Sequence, residues 1–277
     1  MTSDMSQSER SEVVGSDGAG QGGASRVYLL TVAYDGSAYC GWQYQPGLPS
    51  VQETLERALR AVLGHPVRAL ASSRTDTGVH ALAQAVAFRS PAWNASLQNL
   101  PFALNTHLPL SVVVRQASEV PPTFHPLRNS TGKRYRYLVY NSRIGDPIGS
   151  RTHWWVRRRM NLEAMQAAAA HLIGKHDFYS FQSAGSPRSS TVRTIRSLTV
   201  QAQPYLDGQM FSVQVEADGF LYNMVRNIVG TLVQVAVGRK PDQWILQVLA
   251  ARDRQAAGAA APPQGLTLME VMFDGIA

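Results

Sequence analysis

The chain has almost no cysteine: Cys40 stands alone among 277 residues. A single thiol excludes an internal disulfide and a cysteine-based zinc site, so no oxidised staple holds the fold and a reducing compartment fits. No stretch approaches the ~18 consecutive apolar residues of a membrane helix. The N-terminus lacks the basic start and apolar run of a secretory signal, so a cytoplasmic protein is expected. Also missing are a glycine-rich loop closed by Gly-Lys-Ser/Thr, a His-Glu-x-x-His pair and a Cys-x-x-Cys pair, the usual signs of nucleotide and metal chemistry. Charged residues make up only 16%, but the 44% that are hydrophobic suffice for a substantial core, in one large domain or two smaller ones.

The charge that is present is one-sided. Formal net charge is +7, and residues 1–25 contribute −3 of it, so the remainder carries +10. A basic body suits a polyanionic partner, because each neutralised phosphate releases counterions. Residues 1–25 are Ser, Gly, Asp and Gln with almost no apolar period and read as a disordered tail.

Periodicity then predicts a strand over 27–34 and a helix opened by Ser50 as N-cap, with Glu53 in a capping box and Val51, Leu55, Leu59 and Val62 as its apolar stripe, ending at Gly64. Strands are expected over 67–73 and 84–89, a helix over 95–105 and a strand over 112–117. Pro121-Pro122 marks a linker. Beyond it come a strand over 133–141, a helix over 162–173 capped by Asn161, strands over 192–201 and 210–217, an apolar helix over 221–237, a short helix from Pro241 through Ala251, a loop over 256–265 and a last strand over 266–273. This order suggests antiparallel sheet with helices on one face, an α+β design.

The stretch with most chemical content is Ser72-Ser73-Arg74-Thr75-Asp76-Thr77-Gly78-Val79-His80-Ala81. Read as the end of an extended segment, it puts Arg74 and Asp76 on one side, so acid and cation meet. Asp76-Thr77-Gly78 is a turn signal that exposes the carboxylate. By itself this is an Asx-turn with a surface ion pair.

The whole string resembles the catalytic segment of the tRNA pseudouridine synthases of the A type. So do Tyr34-Asp35-Gly36-Ser37 with Gly41-Trp42-Gln43, Ser50-Val51-Gln52-Glu53, Phe124-His125-Pro126, Lys133-Arg134-Tyr135-Arg136-Tyr137 and Met224-Val225-Arg226-Asn227, in that order along nearly the whole chain. The resemblance implies two related ferredoxin-like, RRM-like halves, residues 26–121 and 122–277, whose antiparallel sheets join into one central sheet with helices on one face and the active cleft between the halves. It implies Asp76 as the catalytic aspartate, Arg226 as its arginine partner, Arg74 as a residue that extrudes and holds the target nucleotide, and Tyr135 as the tyrosine against the substrate base. The implied substrate is uridine in the anticodon stem-loop of tRNA, positions 38–40 in tRNA numbering, and the implied assembly is a homodimer. The Phe-His-Pro-Leu-Arg string departs from the usual Phe-His-Ala-Arg, which leaves Arg128 without an assigned role.

The residues support this chemistry on their own terms. Uridine isomerisation needs no redox cofactor, nucleotide or metal, and it does need an ionised carboxylate near sugar and base. Two arginines are candidates to keep Asp76 charged, Arg74 and Arg226, and the second is the more informative: an arginine inside an apolar helix needs a neutralising partner if buried, and otherwise snorkels to solvent. Alternation over 133–140 puts Lys133, Tyr135, Tyr137 and Val139 on one face, for stacking, and Arg134, Arg136, Leu138 and Tyr140 on the other, for phosphate. Arg157-Arg158-Arg159 beside Trp154-Trp155, with Arg188, Arg193 and Arg196, are candidates for RNA backbone contact. His80 and His125 read as structural hydrogen-bonding residues. A non-catalytic RNA-binding module and a glycosidic hydrolase using the same aspartate are the rival readings.

Overall fold

The computed structural model describes residues 25–91, 93–183 and 190–275. The expected tail lies outside these apart from its last position, and so does Arg188. The chain runs β1 (Arg26–Tyr34), α1 (Val51–Leu63), β2 (Leu70–Ala71), β3 (His80–Ser90), α2 (Leu100–Asn105), β4 (Val112–Val120), β5 (Ser130–Asn141), β6 (Trp154–Val156), α3 (Leu162–Ala170), β7 (Gly174–Asp177), β8 (Val192–Tyr205), β9 (Gly208–Ala217), α4 (Met224–Ala236), α5 (Trp244–Ala251) and β10 (Leu266–Phe273). All ten strands form one sheet in the order β4-β1-β3-β10-β5-β9-β8-β7, with β2 on β3 and β6 on β5.

The sheet is mixed, which corrects the antiparallel expectation: β10 runs parallel to β3 through Thr267↔His80 and Leu268↔Ala81, and β6 runs parallel to β5. The architecture is α+β. Buried apolar residues of all five described α-helices belong to one core cluster, which also takes Leu30 and Val32 of β1, Val86 and Phe88 of β3 and Tyr135, Tyr137 and Val139 of β5. The opposite sheet face is closed by a smaller cluster in which Phe124 packs with Val27, Leu29, Ala85 and Ala87. The two periods, 2 for strands and 3.6 for helices, thus deliver apolar side chains to one layer.

Local chemistry sets the element ends. Ser50 accepts a hydrogen bond from the Glu53 N–H at 3.3 Å, and Gly64, in the left-handed region, closes α1. The strand expected over 67–73 pairs only at Leu70 and Ala71. The helix expected from 221 starts at Met224, because Asn223 sits at φ +60, outside the right-handed helical region, and only a turn bond from the Met224 N–H to the Leu221 carbonyl precedes it. The helix expected to 173 ends at Ala170, and Gly174 opens β7, an unexpected strand, as β6 is. Over 95–105 a 3₁₀ turn, Leu97–Asn99, precedes α2.

Candidate active site

Asp76 sits in the 72–79 loop between β2 and β3, and the loop is tied down at almost every residue. The Ser72 N–H donates to the Ala85 carbonyl at 2.9 Å. From there Gln84, fully buried on β3, replaces strand pairing: Ser73 N–H donates to its Oε1 at 3.2 Å, and its Nε2 donates to the Ser73 carbonyl at 2.6 Å. One side-chain amide thereby satisfies both backbone groups of Ser73, which is why the ladder stops and the chain can turn. Lys133 Nζ donates to the Ser72 carbonyl at 2.7 Å, and the Trp42 N–H donates to the Thr75 carbonyl at 3.0 Å. The Tyr34 hydroxyl lies 2.7 Å from Thr75 Oγ1. Gly41 is required here: its φ is +92, and a Cβ would stand 2.6 Å from the Thr75 carbonyl oxygen.

Asp76 is thus presented on a rigid turn, with its Oδ2 3.7 Å from Arg226 Nη1 and the two side chains 30% and 17% exposed, respectively. Arg226 is itself aimed by two bonds: Nε donates to the Ala261 carbonyl at 2.7 Å and Nη1 to Asn223 Oδ1 at 2.8 Å. Burial pushes the Asp76 carboxyl above its usual range, and the guanidinium opposes that without cancelling it. Tyr135, 6% exposed, lies close enough to feel the Asp76 charge. Its hydroxyl is 2.9 Å from Ser73 Oγ, and burial pushes its pKa up to about 12. Phe220 meets the Tyr135 ring edge-on at 5.1 Å.

The structure therefore brings Asp76, Arg226 and Tyr135 together. Arg74 does not join them: its side chain is exposed and makes no ion pair among the described residues, so the expected meeting of Arg74 with Asp76 gives way to Arg226. The reason is the truncated β2, which removes the pleat that placed both on one side. Arg134, expected to face phosphate, is engaged by Glu270 and by Glu216, the latter at 3.7 Å, and Arg196 donates to the Thr131 carbonyl at 2.6 Å. Arg193 Nη1 donates to the carbonyls of Ser190 and Val192, while Arg157, Arg158 and Arg159 are exposed. His80 is a backbone clamp: Nδ1 accepts from the Gly36 N–H at 3.1 Å, and Nε2 lies 2.8 Å and 3.1 Å from the carbonyls of Arg151 and Gln264. His125 Nδ1 accepts from the Leu127 and Arg128 N–H groups in its turn.

Sequence reasoning missed Gln84, Tyr34 and Asn223. A lone glutamine in the Ala-Leu-Ala-Gln-Ala-Val run was a readable signal for the first, since a polar amide in a buried strand needs partners. Among the described residues no group of three or more His, Cys, Asp or Glu is placed to hold a metal ion.

A carboxylate restrained by one guanidinium beside a buried tyrosine on a mixed sheet defines the class of site. A family model described as tRNA pseudouridine synthase matches residues 30–127 and 168–274. A tRNA pseudouridine synthase A from Thermoanaerobacter sp. (strain X514) is 41% identical over 248 residues, covering 90% of this chain and all of the relative. One from Myxococcus xanthus is 46% identical over 244 residues, 88% of this chain and 91% of its own. This chain belongs to the tRNA pseudouridine synthase family.

Proposed function

We propose that the protein converts uridine to pseudouridine in the anticodon stem-loop of tRNA, with Asp76 as the catalytic carboxylate. Family membership carries the reaction class: it is an isomerase acting on tRNA uridine. In that reaction the N1–C1′ bond breaks, a C5–C1′ bond forms, the C5 hydrogen leaves to water and N1 takes up a proton. Addition to the base and attack at C1′ both require Asp76 ionised, which gives Arg226 its role as the charge that opposes burial. Tyr135 supplies a ring edge for the base, and the exposed Arg74 helps draw out the target nucleotide, part of whose unstacking cost of a few kcal/mol is returned by aromatic contact. Two ferredoxin-like halves, 26–121 and 122–277, a cleft between them and a homodimer complete the reading. The position of β10 between β3 and β5 supports a sheet shared by the halves.

The observation that carries the assignment is the 3.7 Å approach of Asp76 to Arg226 beside Tyr135. The test is tritium release from tRNA labelled at uridine C5. Asp76→Asn is expected to release none, and wild-type release rates in that variant would refute the role. Free uracil among wild-type products would instead point to hydrolysis. Carbodiimide mapping of pseudouridine in tRNA from cells with and without the gene tests the anticodon substrate.

A further inference from the structure

A cavity lies outside the Asp76–Arg226–Tyr135 site. It measures about 530 Å³ and is lined by Asp146, Pro147, Ser150, His153, Trp155 and Gln264 among others, within the ~300–1,000 Å³ of small-ligand sites. Its wall holds an unsatisfied group: His153 is only 2% exposed, yet its Nε2 has no hydrogen-bond partner among the described residues. Buried polar atoms are almost always paired, so this nitrogen keeps a hydrogen bond to offer a molecule bound in the cavity. The imidazole is held by ring edges, with centroids 5.3 Å from Tyr140 and 6.4 Å from Tyr205. Burial keeps its pKa below the ordinary value, against the pull of Asp146, which favours the neutral ring. Asp146 is itself occupied, accepting from the Ile148 N–H and the Tyr205 hydroxyl, each at 3.0 Å.

The mouth has the chemistry of nucleic acid. Trp155 is 41% exposed and anchored by its Nε1–H to the Ser142 carbonyl at 2.9 Å, with the Arg157 guanidinium 5.7 Å from its ring. Arg143, Arg151, Arg158 and Arg159 are exposed on the same stretch of chain. The cavity also adjoins the active site: the Gln264 carbonyl meets His80, and Pro263 lies 3.2 Å from where Gly78 of the Asp76 turn would carry a Cβ.

We propose that this cavity is a second nucleotide subsite, which takes an unpaired nucleotide of the same RNA whose target uridine enters the Asp76 site. Trp155 stacks the base, His153 Nε2 hydrogen-bonds its edge, and the exposed arginines hold the flanking phosphates. This rests on the RNA-directed reading of the Asp76 site.

The test is titration of a fluorescent tRNA transcript into Asp76→Asn and into the same protein with Trp155→Ala. Loss of one base–aromatic stack weakens binding by about five- to a hundredfold. The slope of log K against log salt stays unchanged, because no phosphate contact is lost. Trp155→Phe restores most of the affinity, and His153→Gln weakens binding under conditions where urea titration shows the variant fully folded. Unchanged affinity in Trp155→Ala overturns the proposal, as does a loss that comes with a shallower salt slope and no rescue by phenylalanine. If Trp155→Ala lowers the urea midpoint, Trp155→Phe and His153→Gln decide on the same criteria. Tritium release by the wild-type protein is read separately. Release with Trp155-independent binding sinks the subsite alone, and no release with Trp155-dependent binding sinks the Asp76 reading alone. A protein that binds no tRNA sinks both.

Discussion

Gln84→Leu is the sharpest probe of how the Asp76 loop is held. Leucine matches the buried volume but returns neither hydrogen bond, so the Ser73 N–H and carbonyl, in a residue 8% exposed, lose partners now at 3.2 Å and 2.6 Å. Each unsatisfied buried backbone group costs about 1–3 kcal/mol, about 2–6 kcal/mol for the pair, against a total stability of about 5–15 kcal/mol for an ordinary domain. The molecule has two ways to respond. It can keep the loop seated, at the full cost to global stability, or lift the loop into water, where the cost is limited to the tethers of Ser72 and Thr75. In the second case Asp76 leaves Arg226, and a 1 Å displacement of a reacting group costs about a hundredfold in rate. Urea unfolding reads the first response and single-turnover tritium release the second. Gln84→Glu is the control: its carboxylate still accepts from the Ser73 N–H but opposes the Ser73 carbonyl. Acidification, which makes it a donor, should therefore recover part of the loss. An unchanged urea midpoint together with an undiminished single-turnover rate in Gln84→Leu would refute this account of the loop.

Changes at three further residues test the charge pair, the loop behind it and the tyrosine ring. Arg226→Gln removes the group that opposes burial, so the Asp76 pKa, already raised, rises further. The ionised fraction then falls at any given pH and the acid limb of kcat/KM moves to higher pH; a limb that stays put or moves down contradicts the pairing. Gly230→Ala places a Cβ 1.8 Å from the Ala259 carbonyl oxygen, which must retreat and carry along the Ala261 carbonyl that holds Arg226. A fall in kcat of about a hundredfold is expected, with KM little changed, and an unaltered kcat would show that the clamp is slack. Tyr135→Phe loses one buried hydroxyl bond, about 1 kcal/mol in urea unfolding, and keeps the ring. Tyr135→Leu should lose much more in kcat/KM, and equal kinetic losses would remove the base-facing role.

Much of this site was legible because it rests on local rules. Ser50 and Glu53 define the start of α1 by capping, and alternation in β5 puts Tyr135, Tyr137 and Val139 inside, although Tyr140, expected on the phosphate-facing side, is fully buried too. Arg226 stands out as a cation in an apolar helix, and burial makes it pair. The misses are long-range. β10 pairs with β3 through only two residue pairs, and nothing in either strand encodes a parallel partner so distant in sequence. β6 and β7 are too short for a period of two to repeat. The groups that aim Arg226 include a backbone carbonyl, that of Ala261, and every residue type carries one.

One stretch, 258–268, touches every element that bears the site. Gly258 lies against α4, where a Cβ would stand 2.9 Å from the Gly230 carbonyl oxygen, and the Ala261 carbonyl then accepts from Arg226. The next carbonyl, of Pro262, accepts from the Tyr137 hydroxyl of β5 at 2.6 Å. Pro263 abuts the Asp76 turn, the Gln264 carbonyl meets His80, and Thr267 and Leu268 pair with β3. Asp76 and Arg226 come from elements distant in sequence, and this strap shares the task of setting their separation with the bonds that tie Ser72 to Lys133 and Ser73 to Tyr135. Replacing Pro262 and Pro263 with glycine should cost about 1–2 kcal/mol in urea unfolding, chiefly by enlarging the unfolded ensemble. If the strap sets the pair, the same variant must also lose rate in single-turnover tritium release at saturating tRNA. A variant that loses the stability but keeps the rate would mean that α4 and the Asp76 loop hold their distance without it.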